Sequence, residues 1–178
     1  TASAPASLTA APATAGPPMS STPPSPAPPP APAHVFVSFN AWAKALGSSP
    51  YGITTPQLAE GIALAQLRRA ALKELIARDP EAALQQSVPY AVRRALPPEV
   101  QDLLEEPVNA AGAFEVSIAC GFGEEGNEDA VERFASCFNQ RFTVYTYGRR
   151  LDVATKNTLS LNGIAIDDVM ALSDQPVR

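Results

Sequence analysis

Hydrophobic spacing changes character three times along the chain, and each change predicts a different kind of element. Residues 1–33 have no apolar periodicity: Pro and Ala fill 21 of the 33 positions, and no Asp, Glu, Lys or Arg occurs before Lys44. A stretch such as "STPPSPAPPPAPA" populates extended polyproline II and cannot bury a core, so it is expected to be a disordered or extended arm. It acts either as a semi-rigid spacer or as an arm that becomes ordered along a partner. "HVFVSFNAW" (34–42) is rich in β-branched and aromatic residues. It is expected to be a strand covered on both sides, with Val35, Val37 and Phe39 on one face and Phe36, Ser38, Asn40 and Trp42 on the other. "GSSPYG" then breaks the chain, so residues 34–53 form a strand and turn.

Between residues 54 and 107 the spacing becomes helical. Four times a proline opens an apolar run, in "TPQLAE", "DPEAAL", "VPYAVR" and "PPEVQD". Proline suits the first helical turn, where its missing N–H would have had no partner. Thr55, Asp79 and Ser87 lie at or near N-cap positions. The first helix is predicted over Pro56–Arg78, with a stripe of Leu58, Ile62, Ala65, Leu72 and Ile76 interrupted by Arg69 and widened by Leu64, Leu67, Ala71 and Leu75. Three short helices follow at about 80–87, 89–95 and 98–106.

After "EEPVNAAG" the period falls to two. "AFEVSIAC" alternates, and "RFTVYTY" sets Phe142, Val144 and Thr146 opposite Thr143, Tyr145 and Tyr147. Asn162-Gly163, between apolar flanks in "LSLNGIAI", predicts a two-residue type I′ hairpin turn. "IDDVMAL" either continues that strand or turns into a short helix. Residues 108–178 are thus expected to form a small, mostly antiparallel β subdomain, and the fold class is α+β: an extended tail, a chained-helix subdomain and a β-rich subdomain.

Composition narrows the partners. A net charge of −5 over 178 residues argues against nucleic acid, which needs a basic patch. No run of 18 strongly apolar residues occurs, so no membrane span is expected. The opening "TASAPASLTA" has neither the basic nor the apolar part of a signal peptide. It suits an exported chain whose signal has been removed, although a chain trimmed elsewhere would start in the same way.

Candidate chemistry is sparse, and no cofactor is implied. Cys120 and Cys137 bracket an acidic loop between what read as paired strand ends. A disulfide there would stabilise by roughly 3 kcal/mol in the chain-entropy view; the alternative is two reduced, buried cysteines. Glu124, Glu125, Asn127, Glu128 and Asp129 supply oxygen ligands for a weak Ca²⁺ candidate without EF-hand spacing, and a solvated loop tip is the simpler expectation. The lone histidine, His34, has no HExxH or CxxC companion, so neither zinc nor a His-dependent catalytic set is expected, and no residue is assigned a catalytic role. Arg149 and Arg150 in "YGRR" read as a charged turn guarding a sheet edge, or as a carboxylate-binding or protease-sensitive loop. With Tyr145 and Tyr147 they form the candidate partner-binding patch.

The runs "LRRAALKELIARDPEAALQQSVPYAVRRALPPEVQDLLEEPV" and "YTYGRRLDVATKNTLSLNGIAIDDVMALSDQPVR" resemble a region near the N-terminus of large secreted bacterial proteins. Some of those carry a peptidase, another hydrolase domain or adhesion-type repeats further along. The resemblance covers roughly residues 60–178 and contains no catalytic residue. It implies a secreted, non-catalytic pre-domain or propeptide, extracellular or periplasmic, that assists folding of a downstream hydrolase or inhibits it until cleavage near Arg178. Its partner would be the downstream domain or mature chain of the same precursor. The alternative is an extracellular binding or adhesion module on a Pro-rich stalk, for which low aromatic content is a handicap.

Overall fold

The computed structural model describes residues 32–47, 52–119 and 130–173. Five helices precede five strands, so the α+β expectation holds at that level. The strands close into a barrel in the order β1-β2-β3-β5-β4. They are β1 (Glu106–Ala119), β2 (Ala130–Cys137), β3 (Gln140–Thr146), β4 (Lys156–Ile166) and β5 (Val169–Ser173). All pairings are antiparallel except β3 with β5. The long β1 makes closure possible, pairing with β4 along its first half and with β2 along its second. The strand period, expected only after "EEPVNAAG", begins inside it: Glu106–Gly112 is the first half of β1, and the helix expected at 98–106 stops at Gln101.

The expected strand at 34–42 is instead helix α1 (Pro32–Gly47). The reason is visible in which residues are buried: Phe36, Phe39, Trp42 and Ala43 all point into the core, while Val37 is 66% exposed. Spacings of three and four place that set on one face of a helix, and burying such a stripe outweighs the weak β preference of its residues. Helix α2 (Thr55–Arg78) has Thr54 as its N-cap, one residue earlier than expected, and the Gln57 side chain accepts a 2.9 Å hydrogen bond from the Thr54 backbone N–H. The two helices pack closely because of Gly61: a Cβ there would lie 2.1 Å from the Trp42 ring. The indole N–H is satisfied by the Gln57 carbonyl at 3.2 Å. Three short helices follow: α3 (Pro80–Gln85), capped by the Asp79 carboxylate, then α4 (Tyr90–Ala95) and α5 (Pro98–Gln101).

The expected hairpin at Asn162-Gly163 does not form; β4 runs straight through both residues. Gly163 is there because the next strand comes very close, and a Cβ would lie 2.0 Å from the Ala171 carbonyl oxygen. The β4–β5 reversal is made by Asp167-Asp168, with Asp167 at φ 53°. The pair of positive φ values expected at Asn162-Gly163 occurs instead at Phe138 and Asn139, between β2 and β3.

Three apolar clusters hold this arrangement. The barrel interior contains Phe114, Phe142, Val144, Leu161, Met170 and Leu172. A second cluster joins the outer faces of β4 and β5 (Ile164, Ile166, Val169 and Ala171) to Phe36 of α1, Leu72 and Ile76 of α2 and Ala83 of α3. The third, around Phe39, Trp42, Leu96 and Val100, lies among the helices. The end of β4 and all of β5 are therefore covered on both faces, which explains the nearly continuous apolar run on either side of their acidic turn, whereas the start of β4 is exposed.

That turn is also tied to α2 by charge. Lys73 Nζ donates to Asp168 at 2.7 Å and lies 3.6 Å from Asp167, which also pairs with Arg69. The hydrogen bond from Lys73, followed by a backbone hydrogen bond, holds the Asp168 carboxyl below its ordinary pKa, and the same contact raises that of Lys73. A lowered carboxyl stabilises the fold above its unfolded pKa of about 3.9 and loses that contribution as pH falls through the folded value. A raised lysine contributes below about 10.4 and loses its contribution as pH rises through its folded value. Lys73→Met should therefore lower the urea midpoint by an amount that is level from about pH 5 to 10 and shrinks below about pH 4. A deficit unchanged at pH 3 would contradict this linkage.

Candidate functional site

Helices and barrel meet at a buried ion pair. Arg68, 1% exposed, leaves α2 toward Glu105, 3% exposed, the residue just before β1. One guanidinium nitrogen donates to Glu105 Oε2, and the other donates to Oε1 at 2.9 Å and to the Gln86 carbonyl at 2.6 Å. Oε1 also accepts the backbone N–H of Val88 at 2.6 Å. The guanidinium carbon lies 5.7 Å from the Phe36 ring centre and 5.4 Å from that of Phe39. Arg93 of α4 closes the rim, donating to the carbonyls of Glu105 and Gln101. Of the Arg68 donors only Nε is without a partner.

Two concavities open beside this joint. A groove of about 620 Å³ runs between α1 and the α3–α4 connection, with Ala43, Val88, Pro89, Ala91, Val92 and Ala95 as its apolar surface. A neighbouring pocket of about 320 Å³ shares Ser87 and Val88 with it and adds Tyr90, Arg93, Glu105 and Ile164. Helix α4 itself has no buried residue, and Tyr90 is 61% exposed with Arg94 stacked over its ring at 5.8 Å. An apolar floor with a few fixed donors on a rigid frame suits side chains of another polypeptide or a small amphipathic ligand.

The residues singled out in the sequence are dispersed. Tyr145 packs against the cluster beneath the helices, and Tyr147 is half-buried at the start of the 3₁₀ turn Gly148–Asp152. Arg149 is exposed, whereas Arg150 is buried and donates to the Ser160 carbonyl at 3.2 Å. The four do not make one exposed patch, because Tyr145 is taken up by that cluster and Arg150 by its buried hydrogen bond, which leaves Arg149 exposed and Tyr147 half-exposed. His34 is exposed in the first turns of α1. Glu124, Glu125, Asn127, Glu128, Asp129, Cys120 and Arg178 lie outside the described residues. Among the described residues no group of three or more His, Cys, Asp or Glu side chains could hold a metal.

Cys137 carries a free thiol inside the barrel, and burial raises its pKa, away from the thiolate that reacts or binds metal. It ends β2, at the far end of the β1–β2 ladder from Ala119, which pairs with Ala130. At ~3.3 Å per residue, Ala130 and Cys137 are about 23 Å apart along the strand. A disulfide needs Cα atoms within about 7 Å. A bridge from Cys137 to the residue after Ala119 would require that ladder to open.

These features define an α+β protein whose helices cover one side of a closed five-stranded barrel. No protein-family model matches the chain, and neither does any curated protein or solved structure. No described helix is long and apolar enough to cross a membrane.

Arg68 was missed because two stripes fit α2 equally well from spacing alone. The buried set is Gly61, Ala65, Arg68, Leu72 and Ile76, with the arginine itself in the stripe rather than Arg69 interrupting it. The usable signal was that Arg68 keeps the three-and-four spacing of the buried stripe; nothing in "LLEEPV" distinguishes the buried Glu105 from the exposed Glu106 beside it. Breaking a buried pair by removing one partner costs about 3–5 kcal/mol, while apolar replacement of both is often neutral. Arg68→Ala or Glu105→Ala should each lower stability by about that amount, and Arg68→Met with Glu105→Leu should recover most of it in chemical denaturation. Single substitutions costing under about 1 kcal/mol would show the pair to be incidental.

Proposed function

We propose that this chain is a non-catalytic N-terminal pro-region of an exported precursor, which assists or restrains a downstream hydrolase domain until cleavage near Arg178. The observation that carries this reading is the uncovered joint: an apolar groove of about 620 Å³ beside a short helix, α4, that buries none of its residues. A surface of that kind is suited to covering part of another polypeptide. The buried pair behind it supplies a stiff backing, so little ordering would be needed on contact. The uncharged Pro/Ala-rich stretch before α1 would set the domain apart from whatever precedes it. Strand donation by "HVFVSFNAW", one of the ways such a segment could block a cleft, is ruled out because those residues form α1. Docking would instead use the groove and the exposed face of α4.

A second reading, an extracellular binding module on a stalk, is favoured by the closed barrel itself. Small five-stranded barrels of the oligonucleotide- and oligosaccharide-binding type use the β2–β3 face and the β1–β2 and β4–β5 loops, and this is an analogy of architecture only. Here the β4–β5 turn is Asp167-Asp168, already engaged by Arg69 and Lys73, which suits a polyanion poorly. Tyr147 is the residue to test for glycan binding, since Tyr145 contributes to the core.

An immunoblot of the native host, probed with antibody to this domain, separates the two. The pro-region reading expects a precursor much larger than the 18.6 kDa chain in cell extracts, together with a processed fragment ending at Arg178 by mass spectrometry. A single full-length species that is never cut, with glycan binding lost in Tyr147→Ala, would overturn it in favour of the binding module.

A further inference from the structure

The turn between β2 and β3 contains an unusual residue. Cys137 pairs with Gln140, leaving Phe138 and Asn139 as a two-residue loop with φ values of 52° and 62°. That geometry favours Asn-Gly, because the left-handed region crowds a Cβ. Phenylalanine is disfavoured there by its backbone, and with 74% of its surface exposed it is disfavoured by hydration as well. Neither cost is offset by burial within the described fold.

The Phe138 ring stands on the rim of a cleft of about 380 Å³ between this turn, the α5–β1 connection and the end of β4. Leu104, Pro107, Phe142 and Ile166 supply its apolar surface. Its charge is one-sided. Arg69 is already paired with Asp167, whereas the exposed carboxylates of Asp102 and Glu106 have no ion-pair partner among the described residues. An exposed aromatic ring flanked by unpaired carboxylates is complementary to a cation that also carries apolar carbon. The barrel already contains such a contact, with the Arg141 guanidinium 4.1 Å from the centre of the Phe134 ring.

We propose that this cleft docks an arginine- or lysine-bearing segment of another polypeptide, with its cation over Phe138 and against Glu106 and Asp102 and its small apolar neighbours on the floor. Phe138 is then a binding anchor kept at the expense of turn stability, the pattern expected of an interface hot spot. The proposal stands independently of the pro-region reading, since this surface lies at the β2–β3 end of the barrel and not at the helix groove.

The test uses the full chain, ¹⁵N-labelled, titrated with the peptide acetyl-Ala-Arg-Ala-Arg-Ala-amide and with its glutamate counterpart. The basic peptide should give saturable shifts at the amides of Glu106, Phe138 and Gln140, and the acidic one none. Phe138→Asn should weaken binding at least tenfold while raising the thermal midpoint, because asparagine tolerates the left-handed region. Loss of binding then cannot be attributed to unfolding. Glu106→Gln should weaken binding severalfold and flatten its salt dependence. The proposal is overturned if the basic peptide produces no saturable shifts at the cleft, if Phe138→Asn binds as the parent does, or if that variant is less stable than the parent. Concentration-dependent dimers abolished by Phe138→Asn, with no peptide binding, would assign the cleft to a second copy and equally overturn it.

Discussion

The buried pair of Arg68 and Glu105 is the constraint on which the rest of the structure depends. It lies where the cluster beneath the helices meets the cluster among them, with Phe36 of the first and Phe39 of the second on the guanidinium. A charge so placed tolerates very few arrangements: both carboxylate oxygens, the Gln86 carbonyl and the Val88 N–H have to arrive together. Desolvating two ions consumes most of their attraction, so the pair adds little net stability over apolar residues of the same size. What it adds is geometry. α2, the α3–α4 connection and the start of β1 are fixed in one register, and the barrel begins at a defined height against the helices.

From that joint the two surfaces of interest follow. The α3–α4 connection is held by Gln86 and Val88, which leaves α4 projecting outward and the groove against α1 uncovered. On the other side, α5 leads directly into Glu105 and β1, bringing Asp102 and Glu106 beside the β2–β3 turn that carries Phe138. Arg69, the next residue along α2, points away from the joint to the Leu103 carbonyl and Asp167, and so links the α5 connection to the β4–β5 turn. Neighbouring arginines on one helix thus divide the work of attaching it to the barrel.

Much of this was legible in the sequence where local and tertiary preferences agree. The proline-started helices and the alternating strands are present, most of them resting on burial of one face, although the last helix stops at Gln101 and the period already changes at Glu106. The failures have physical causes. "HVFVSFNAW" mixes a two-residue and a three-to-four-residue pattern, and only the presence of α2, with Gly61 under Trp42, decides between them. Asn162-Gly163 looks like a turn, but the glycine serves a close strand approach, while Phe138-Asn139 adopts turn geometry that its composition does not favour. Among the candidate site residues, Tyr145 and Arg150 are occupied by packing and by a backbone hydrogen bond, respectively, and the groove beside α4 involves residues too ordinary to be noticed one by one.

If Arg68 and Glu105 do unite helices and barrel, the two should open as one cooperative unit. Native-state hydrogen exchange of the full chain in low denaturant measures this directly. The account predicts that the slowest amides of α2 and those of β1, β4 and β5 converge on a single opening free energy, equal to that of global unfolding, and that Glu105→Ala splits them into two groups. Helix amides that already exchange through a separate, cheaper opening in the unaltered protein would contradict it.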